Sequence, residues 1–466
     1  MTSFGTLNTA VSGLFAAQRA LDVTGQNVVN ANTPGYSRQR VGLASAAAAT
    51  SSTFHSGNRA QFGGVSITDV SRVRDSFLEA TRAAAGSRQS ALDAQVTALQ
   101  GAERLLAEPG ESGLQQSLDD FFVGWQKIGT DGPGSAAGQV VINLGVRVAD
   151  QLRAVSNGVA REWTNTHATL EDVVARANQA GSDLATLNGK IREGVTSGNA
   201  VNELLDRRDT LVRTLGELVG ATAVPGADGQ VSVSVNGIQI VSGSASEKLT
   251  LAGGRDISVA ATDPPTILWG TTPVPVDTGA AAGQLAALRG DLPGLSERLD
   301  GVAVALRDAV NTVHSSGYAS DGSTGAIFFD GTGARDLRVV PTDSAQLAVA
   351  RSAGTTDTSV ANRIGDLGDD QTVAALLGGP GPSVRWRSLT SSFGVQLQSL
   401  EAAQTVQEAV VQAAGDAVES SAGVNLDEEM TNMLLFQRAY QASARVITTV
   451  DEMLDTLINR TGIVGR

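Results

Sequence analysis

The sequence predicts a mainly α-helical chain with one small β domain inserted into it, an α+β arrangement that rests on three observations. Apolar residues recur at spacings of three and four on both sides of residues 220–278, as expected of helices that bury one face. Within 220–278 the period drops to two, and Val231-Ser-Val-Ser-Val and Ile238-Gln-Ile-Val flank Asn236-Gly237, a dipeptide suited to a type I′ hairpin turn. Both chain ends carry apolar positions in heptad register, so each is expected to present a coiled-coil seam.

Residues 1–30 read as a helix with Leu7, Leu14, Leu21 and Val28 at strict seven-residue spacing, flanked by Ala10, Val11, Ala17 and Thr24. Asn30-Ala-Asn-Thr-Pro-Gly ends it: Pro34 biases Thr33 away from helical backbone and Gly35 supplies turn geometry. Here asparagine side chains can satisfy helix-end or turn groups, and Tyr36 can pack on a neighbour. The Ala/Ser/Thr run 43–53 reads as a linker or extended arm. From about 69 to 219 the spacing is helical, with breaks at Glu108-Pro-Gly, Thr130-Asp-Gly-Pro-Gly and Thr196-Ser-Gly-Asn. Beyond the hairpin, short strands are expected at 249–251, 257–261 and 266–269.

Helical periodicity returns over 283–314, apart from Pro293, and again from about 388 to the end, interrupted near Ser420-Ser-Ala-Gly-Val-Asn-Leu-Asp. In the last helix Met433, Phe436, Tyr440, Ile447, Val450, Leu454 and Leu457 fall on alternating three- and four-residue steps, with Ser443 completing the series. The domain division that follows pairs 1–60 with 415–466 as terminal helices, joins 61–219 with 279–414 as a discontinuous helical domain, and leaves 220–278 as a β-rich outer insertion.

Composition narrows the function classes. A chain of 466 residues should fold as several units rather than one core. Its 34 basic and 48 acidic residues give a net charge of −14, which argues against a nucleic-acid partner, and no basic run suits a membrane surface. There is no cysteine for disulfides, thiolate metal sites or thiol nucleophiles. Residues 1–18 are amphipathic rather than uniformly apolar, so no cleavable signal peptide is expected, and the uncharged stretch 41–58 is too poor in Leu, Ile and Val to span a bilayer.

No catalytic, cofactor or metal site is expected. His55, His167 and His314 are scattered and read as surface or packing residues. Asp321-Gly-Ser-Thr-Gly lacks the acidic ladder of a calcium loop, and Gly378-Gly-Pro-Gly-Pro lacks a phosphate-binding pattern. Adjacent carboxylates such as Glu428 and Glu429, or Asp369 and Asp370, do not share a helix face. The terminal stripes do demand partners, because a narrow apolar stripe cannot bury itself. By periodicity alone an intramolecular helix pair suits them better than contacts with neighbouring subunits, though the two can coexist.

The stretch Gln26-Asn-Val-Val-Asn-Ala-Asn-Thr-Pro-Gly-Tyr-Ser-Arg-Gln resembles the amino-terminal signature of bacterial flagellar rod, hook and hook-associated proteins, with Asn27, Asn30, Asn32, Pro34, Gly35 and Tyr36 as the signature turn. Asn202-Glu-Leu-Leu-Asp-Arg-Arg-Asp-Thr-Leu-Val, Gly317-Tyr-Ala-Ser-Asp-Gly with Phe328-Phe329, and Ser421-Ala-Gly-Val-Asn-Leu-Asp-Glu-Glu-Met resemble segments of the FlgK family of hook-associated proteins. The resemblance implies a structural subunit of the hook–filament junction that is exported uncleaved by the flagellar type III apparatus. It reverses the preference above, making the terminal seams an assembly interface and the paired helices an inner tube. It also implies as partners the hook protein, the next hook-associated protein, further copies of the chain, and a cytoplasmic export chaperone for the carboxy-terminal helix. The alternatives are another axial protein, such as a hook or distal rod subunit, or a secreted enzyme carried on an axial scaffold. The insertion at 220–278 has no His or Cys to favour the latter.

Overall fold

A computed structural model describes residues 3–46, 63–106, 113–131 and 135–460. The chain opens with helix α1 (Ser3–Asn30), strands β1 (Gln39–Ala46) and β2 (Gly64–Arg72), and helices α2 (Ser76–Leu106), α3 (Leu114–Asp131), α4 (Ser135–Thr196) and α5 (Asn202–Val219). The inserted unit contains β3 (Thr222–Pro225), β4 (Val231–Val235), β5 (Ile238–Ser242), β6 (Ala245–Ser246), β7 (Leu249–Ala252), β8 (Thr266–Trp269) and β9 (Thr272–Pro273). Helix α6 (Ala280–Ala286) continues through a π-helical turn, Ala287–Asp291, into α7 (Leu292–His314). Short strands β10 (Tyr318–Ala319), β11 (Phe329–Asp330), β12 (Arg338–Val339) and β13 (Ala348–Ala350) precede helices α8 (Ser359–Gly365), α9 (Asp370–Leu377), α10 (Pro382–Ala422) and α11 (Leu426–Asp455). The architecture is the mainly α one with a β insertion that the periodicity predicts.

Helix α4, 62 residues long, spans about 93 Å at the usual rise of 1.5 Å per residue and is the spine of the helical body. One apolar core runs from Leu99, Leu118 and Trp163 through Leu299 and Val310 to Val233 and Ile240, so the insertion shares the helices' core. At one end of this core Phe121, Trp125, Phe328 and Phe329 pack with ring centroids 4.8–6.4 Å apart. Two asparagines of α4 fix the sheets: Asn188 Nδ2 donates to the carbonyls of Val231 and Gly243 at 2.8 Å, and Asn178 exchanges two 2.8 Å bonds with the Leu249 backbone.

The hairpin forms as expected, with Asn236 at φ 45° and Gly237 at φ 81° between paired Val235 and Ile238. Strand β8 occupies the expected 266–269, and β7 the expected 249–251 with one further residue. The strand expected at 257–261 is instead a 3₁₀ turn, Ile257–Val259, because the Asp256 side chain accepts from Ser258 N at 2.9 Å and caps a helical turn. Pro293 does not interrupt the helical path. In the π register the carbonyl five residues earlier, Leu288 O, would lack an amide partner, and Trp163 Nε1 donates to it at 2.9 Å.

Two further expectations change near the amino end. The first part of the expected arm is strand: β1 pairs antiparallel with β2 from Gln39↔Arg72 to Ala46↔Gly64, while 47–62 lie outside the described residues. Helix therefore begins not at 69 but at Ser76, where Asp75 Oδ1 accepts from the amides of Phe77 and Leu78 at 2.9 and 3.1 Å. The breaks at Glu108-Pro-Gly and Gly132-Pro-Gly lie outside the described residues, as does His55. Helix α4 ends at Thr196, at the expected third break.

Candidate assembly joint at the chain termini

Helices α1 and α11 lie side by side and antiparallel. Asn27 Nδ2 donates to Glu429 Oε2 at 3.0 Å, and a Cβ on Gly13 would stand 3.2 Å from Ser443 Oγ. These two meeting points are fourteen residues, two heptads, apart on both helices. The residues of α1 buried along its length are Ala10, Ala16, Ala17, Ala20, Val23, Thr24 and Asn27. Leu7, Leu14, Leu21 and Val28, the expected seam positions, lie beside this buried row and are half-buried. At the Gly13–Ser443 crossing, the absence of a side chain on glycine lets the two helix backbones approach closely.

On α11 the expected residues divide similarly. Val450 is buried, Met433, Phe436, Ile447 and Leu454 are half-buried, and Tyr440 and Leu457 are exposed. Leu434, Leu435 and Ile458 also face outward, with Leu435 59% and Ile458 74% accessible. Phe15 and Val29 of α1 are exposed as well. One intrachain contact leaves much of the pair's apolar surface open.

The signature turn closes the base of this pair. Asn27 is buried, and its amide group makes four hydrogen bonds: Nδ2 donates to Gln39 O at 2.8 Å and to Glu429, while Oδ1 accepts from Tyr36 OH at 2.8 Å and Gln39 N at 2.9 Å. Asn30 Nδ2 donates back to Gln26 O at 3.0 Å, the local capping role expected of it, and Asn32 and Pro34 are exposed. Gly35 has φ +83°, and a Cβ there would stand 2.8 Å from Thr210 Oγ1 on α5, so both the conformation and the close approach require glycine. Burial, followed by the charges of Asp206 and Glu429, pushes the Tyr36 hydroxyl up to about 12, which keeps it a donor.

Around the turn lies a network of charges. Arg38 reaches Glu429 Oε1 through Nε and Nη2, both at 2.8 Å, and also Glu428 at 3.0 Å. Arg72 on β2 bridges Asp206 and Asp209 of α5 at 2.8 and 2.7 Å, and Arg74 joins Asp209 and Glu79. The Ser37 amide donates to Asp206 Oδ2 at 3.3 Å, and Asn202 Nδ2 donates to Val70 O at 2.8 Å. Arg208 pairs with Asp209 and donates to Gly229 O at 2.7 Å, linking the joint to the base of the β unit. Burial, then Arg72 and Arg74 nearby, pushes the Arg208 guanidinium down to about 10, still charged at neutral pH.

Sequence reasoning missed Arg38, Asp206 and Glu429 as members of one site. Three of the stretches singled out above, beginning at Gln26, Asn202 and Ser421, converge here, although no local period relates them. The fourth lies in the helical body. There His314 Nδ1 donates to Ala326 O at 2.8 Å, and Nε2 accepts from Ala348 N at 3.0 Å, which makes it a structural crosslink beside Trp125 and Phe328. His167 stacks on Trp163. Asp321 organises a turn by accepting from Ser323 N at 2.8 Å. Among the described residues no group of three His, Cys, Asp or Glu could hold a metal ion, and no helix is long and apolar enough to cross a membrane.

A discontinuous helical body, a β insertion and an antiparallel pair formed by the terminal helices are the architecture that the resemblance to flagellar axial proteins implies. Three family models match: "Flagellar hook-associated protein FlgK helical domain" over 99–329, "Flagellar basal body rod FlgEFG protein C-terminal" over 417–460 and "Flagella basal body rod protein" over 7–36. These matches support identification of the chain as a flagellar hook-associated protein of the FlgK type. It is similar to flagellar hook-associated protein 1 of Bacillus subtilis, 29% identical over 512 aligned positions that cover 100% of both chains. The corresponding proteins of Salmonella typhimurium and Escherichia coli are 25% and 26% identical, covering 97% of this chain and 99% of theirs. In fold it resembles the flagellar hook junction protein FlgK from Burkholderia pseudomallei, with a TM-score of 0.62 at 15% identity over 73% of this chain and 99% of that one.

Proposed function

We propose that the chain is a non-enzymatic subunit of the hook–filament junction, and that its terminal helix pair is the element that polymerises. The observation that carries this reading is the apolar surface left on the closed pair: Leu434, Leu435, Tyr440, Leu457 and Ile458 stay exposed after α1 has docked. Exposed apolar positions on both helices of one pair suit burial against neighbouring subunits. In this reading residues 1–60 with 415–466 form the inner layer, 61–219 with 279–414 the helical layer outside it, and 220–278 the outermost part. The seam positions Leu7, Leu14, Leu21 and Val28, half-buried in one chain, become buried between chains.

The hook protein on one side, the next hook-associated protein on the other, and laterally placed copies of the chain are the partners this arrangement fits. Before export the same α11 surface would be shielded by a cytoplasmic chaperone, and the type III apparatus would carry the chain out without cleavage. Deleting the gene tests the proposal: cells should still build hooks but shed filament subunits into the medium. Filaments of normal length on the deletion strain would overturn it.

A further inference from the structure

We propose that Asn27 and Glu429 set the register of the terminal helix pair, selecting one among several seven-residue alignments that its small and apolar residues would accept. On α1 the positions repeat nearly in kind: Leu7, Leu14, Leu21 and Val28 form one row, and Ala10, Ala17 and Thr24 another. On α11, Met433, Tyr440, Ile447 and Leu454 repeat at the same spacing. A slide by one heptad, about 10.5 Å along the axis, therefore exchanges most of these residues for another of similar character, Thr24 and Tyr440 adding only a hydroxyl. Apolar contacts alone specify register weakly when the pattern repeats in this way.

The third row of α1, Gly13, Ala20 and Asn27, does not repeat in kind. Sliding one way brings Asn27 opposite Phe436, and sliding the other way brings Ala20 opposite Glu429. Either move strips the buried Glu429 carboxylate of the Asn27 donor it holds at 3.0 Å and leaves buried polar atoms unmatched. Asn27 is also bonded to Tyr36 and to the Gln39 backbone, in a turn that packs on α5. The polar contact thus aligns α11 with the helical body as well as with α1. A buried polar pair in a seam of mostly small and apolar residues can choose register in the way a single buried polar residue does in a coiled coil.

The inference concerns pairing within one chain and is independent of what the pair meets in an assembly. The chain contains no cysteine, so two introduced ones are its only thiols. Gly13→Cys with Ser443→Cys reports the observed register, and Ala20→Cys with Ser443→Cys reports a one-heptad slide. Under mild oxidation of the full-length protein the first pair should form its intrachain disulfide at least about tenfold faster than the second, whose thiols lie out of bonding range in the observed register. Adding Asn27→Ala and Glu429→Ala should shrink that preference to within about threefold. Glu429→Gln, which keeps an acceptor for Asn27 Nδ2, should retain it. Three results would overturn the proposal: an unchanged preference in the doubly substituted protein, loss of both disulfides there while the helical body melts normally, or neither disulfide in the protein that keeps Asn27 and Glu429.

Discussion

Arg38 and Glu429 are 391 positions apart in the chain, and Arg38 Nε donates to Glu429 Oε1 at 2.8 Å. The contact ties the segment after α1 to the first turn of α11, beside the buried Asn27. Glu429→Ala should weaken the terminal pair by about 1–3 kcal/mol, since it leaves one Asn27 donor unpaired while Arg38 keeps Glu428. Hydrogen exchange in α1 and α11 should accelerate, and limited proteolysis should trim both ends to a core beginning near β2. Unchanged protection of α1 would count against the joint.

Unequal burial along α1 should make two neighbouring substitutions act differently. Ala17 is buried, whereas Leu14, three residues earlier on the same helix, is half-buried. Ala17→Asp should break the intrachain pair, because it buries an unpaired charge. Leu14→Asp should leave that pair formed and block assembly alone. Comparing exchange protection of α11 with motility separates the two, and equal loss of protection in both variants would place the leucine row in the intrachain contact.

The helical body should be sensitive at its aromatic cluster. Phe328 is fully buried against Phe121, Trp125 and Phe329, so Phe328→Ala should cost about 3–5 kcal/mol. Thermal or urea unfolding measures this, and a loss below about 1 kcal/mol would show a far looser packing.

Acid should destabilise the same region through His314. Burial holds its pKa below the ordinary 6.5, outweighing the upward pull of the Ala326 bond. The unfolded chain therefore takes up the proton first. This contribution is fully present above 6.5 and is lost as pH falls from there through the folded pKa. His314→Gln should be less stable at about pH 7.5 yet lose less stability between about pH 7.5 and about pH 5.5. An equally steep fall in both proteins would exclude His314 as a source of the slope.

Helical and hairpin periodicity was readable because each depends on neighbours in sequence. The alternation around Asn236-Gly237 and the break at Thr196 correspond to formed elements. The ribbon of β1 and β2 was not legible: the Ala/Ser-rich end of β1 offers little apolar alternation, and its partner lies beyond the segment 47–62. Leucines at heptad spacing marked the helix, but not which of its positions are buried, and these are mostly alanines. The joint was legible only as separate motifs. Glu428 and Glu429 look equivalent in sequence, yet one is exposed and the other buried, because consecutive residues point in different directions on a helix.

In the proposed assembly, neighbouring subunits cover the apolar surface left open on the terminal pair. Leu434→Asp with Leu435→Asp tests it most directly, because both side chains are exposed and their replacement should change monomer stability by no more than about 0.5 kcal/mol each. The measurement is electron microscopy of deletion cells carrying this variant, together with assay of filament subunits in the medium. Exported, folded protein, hooks without filaments, and shed subunits are expected. Filaments of normal number and length would contradict that assembly.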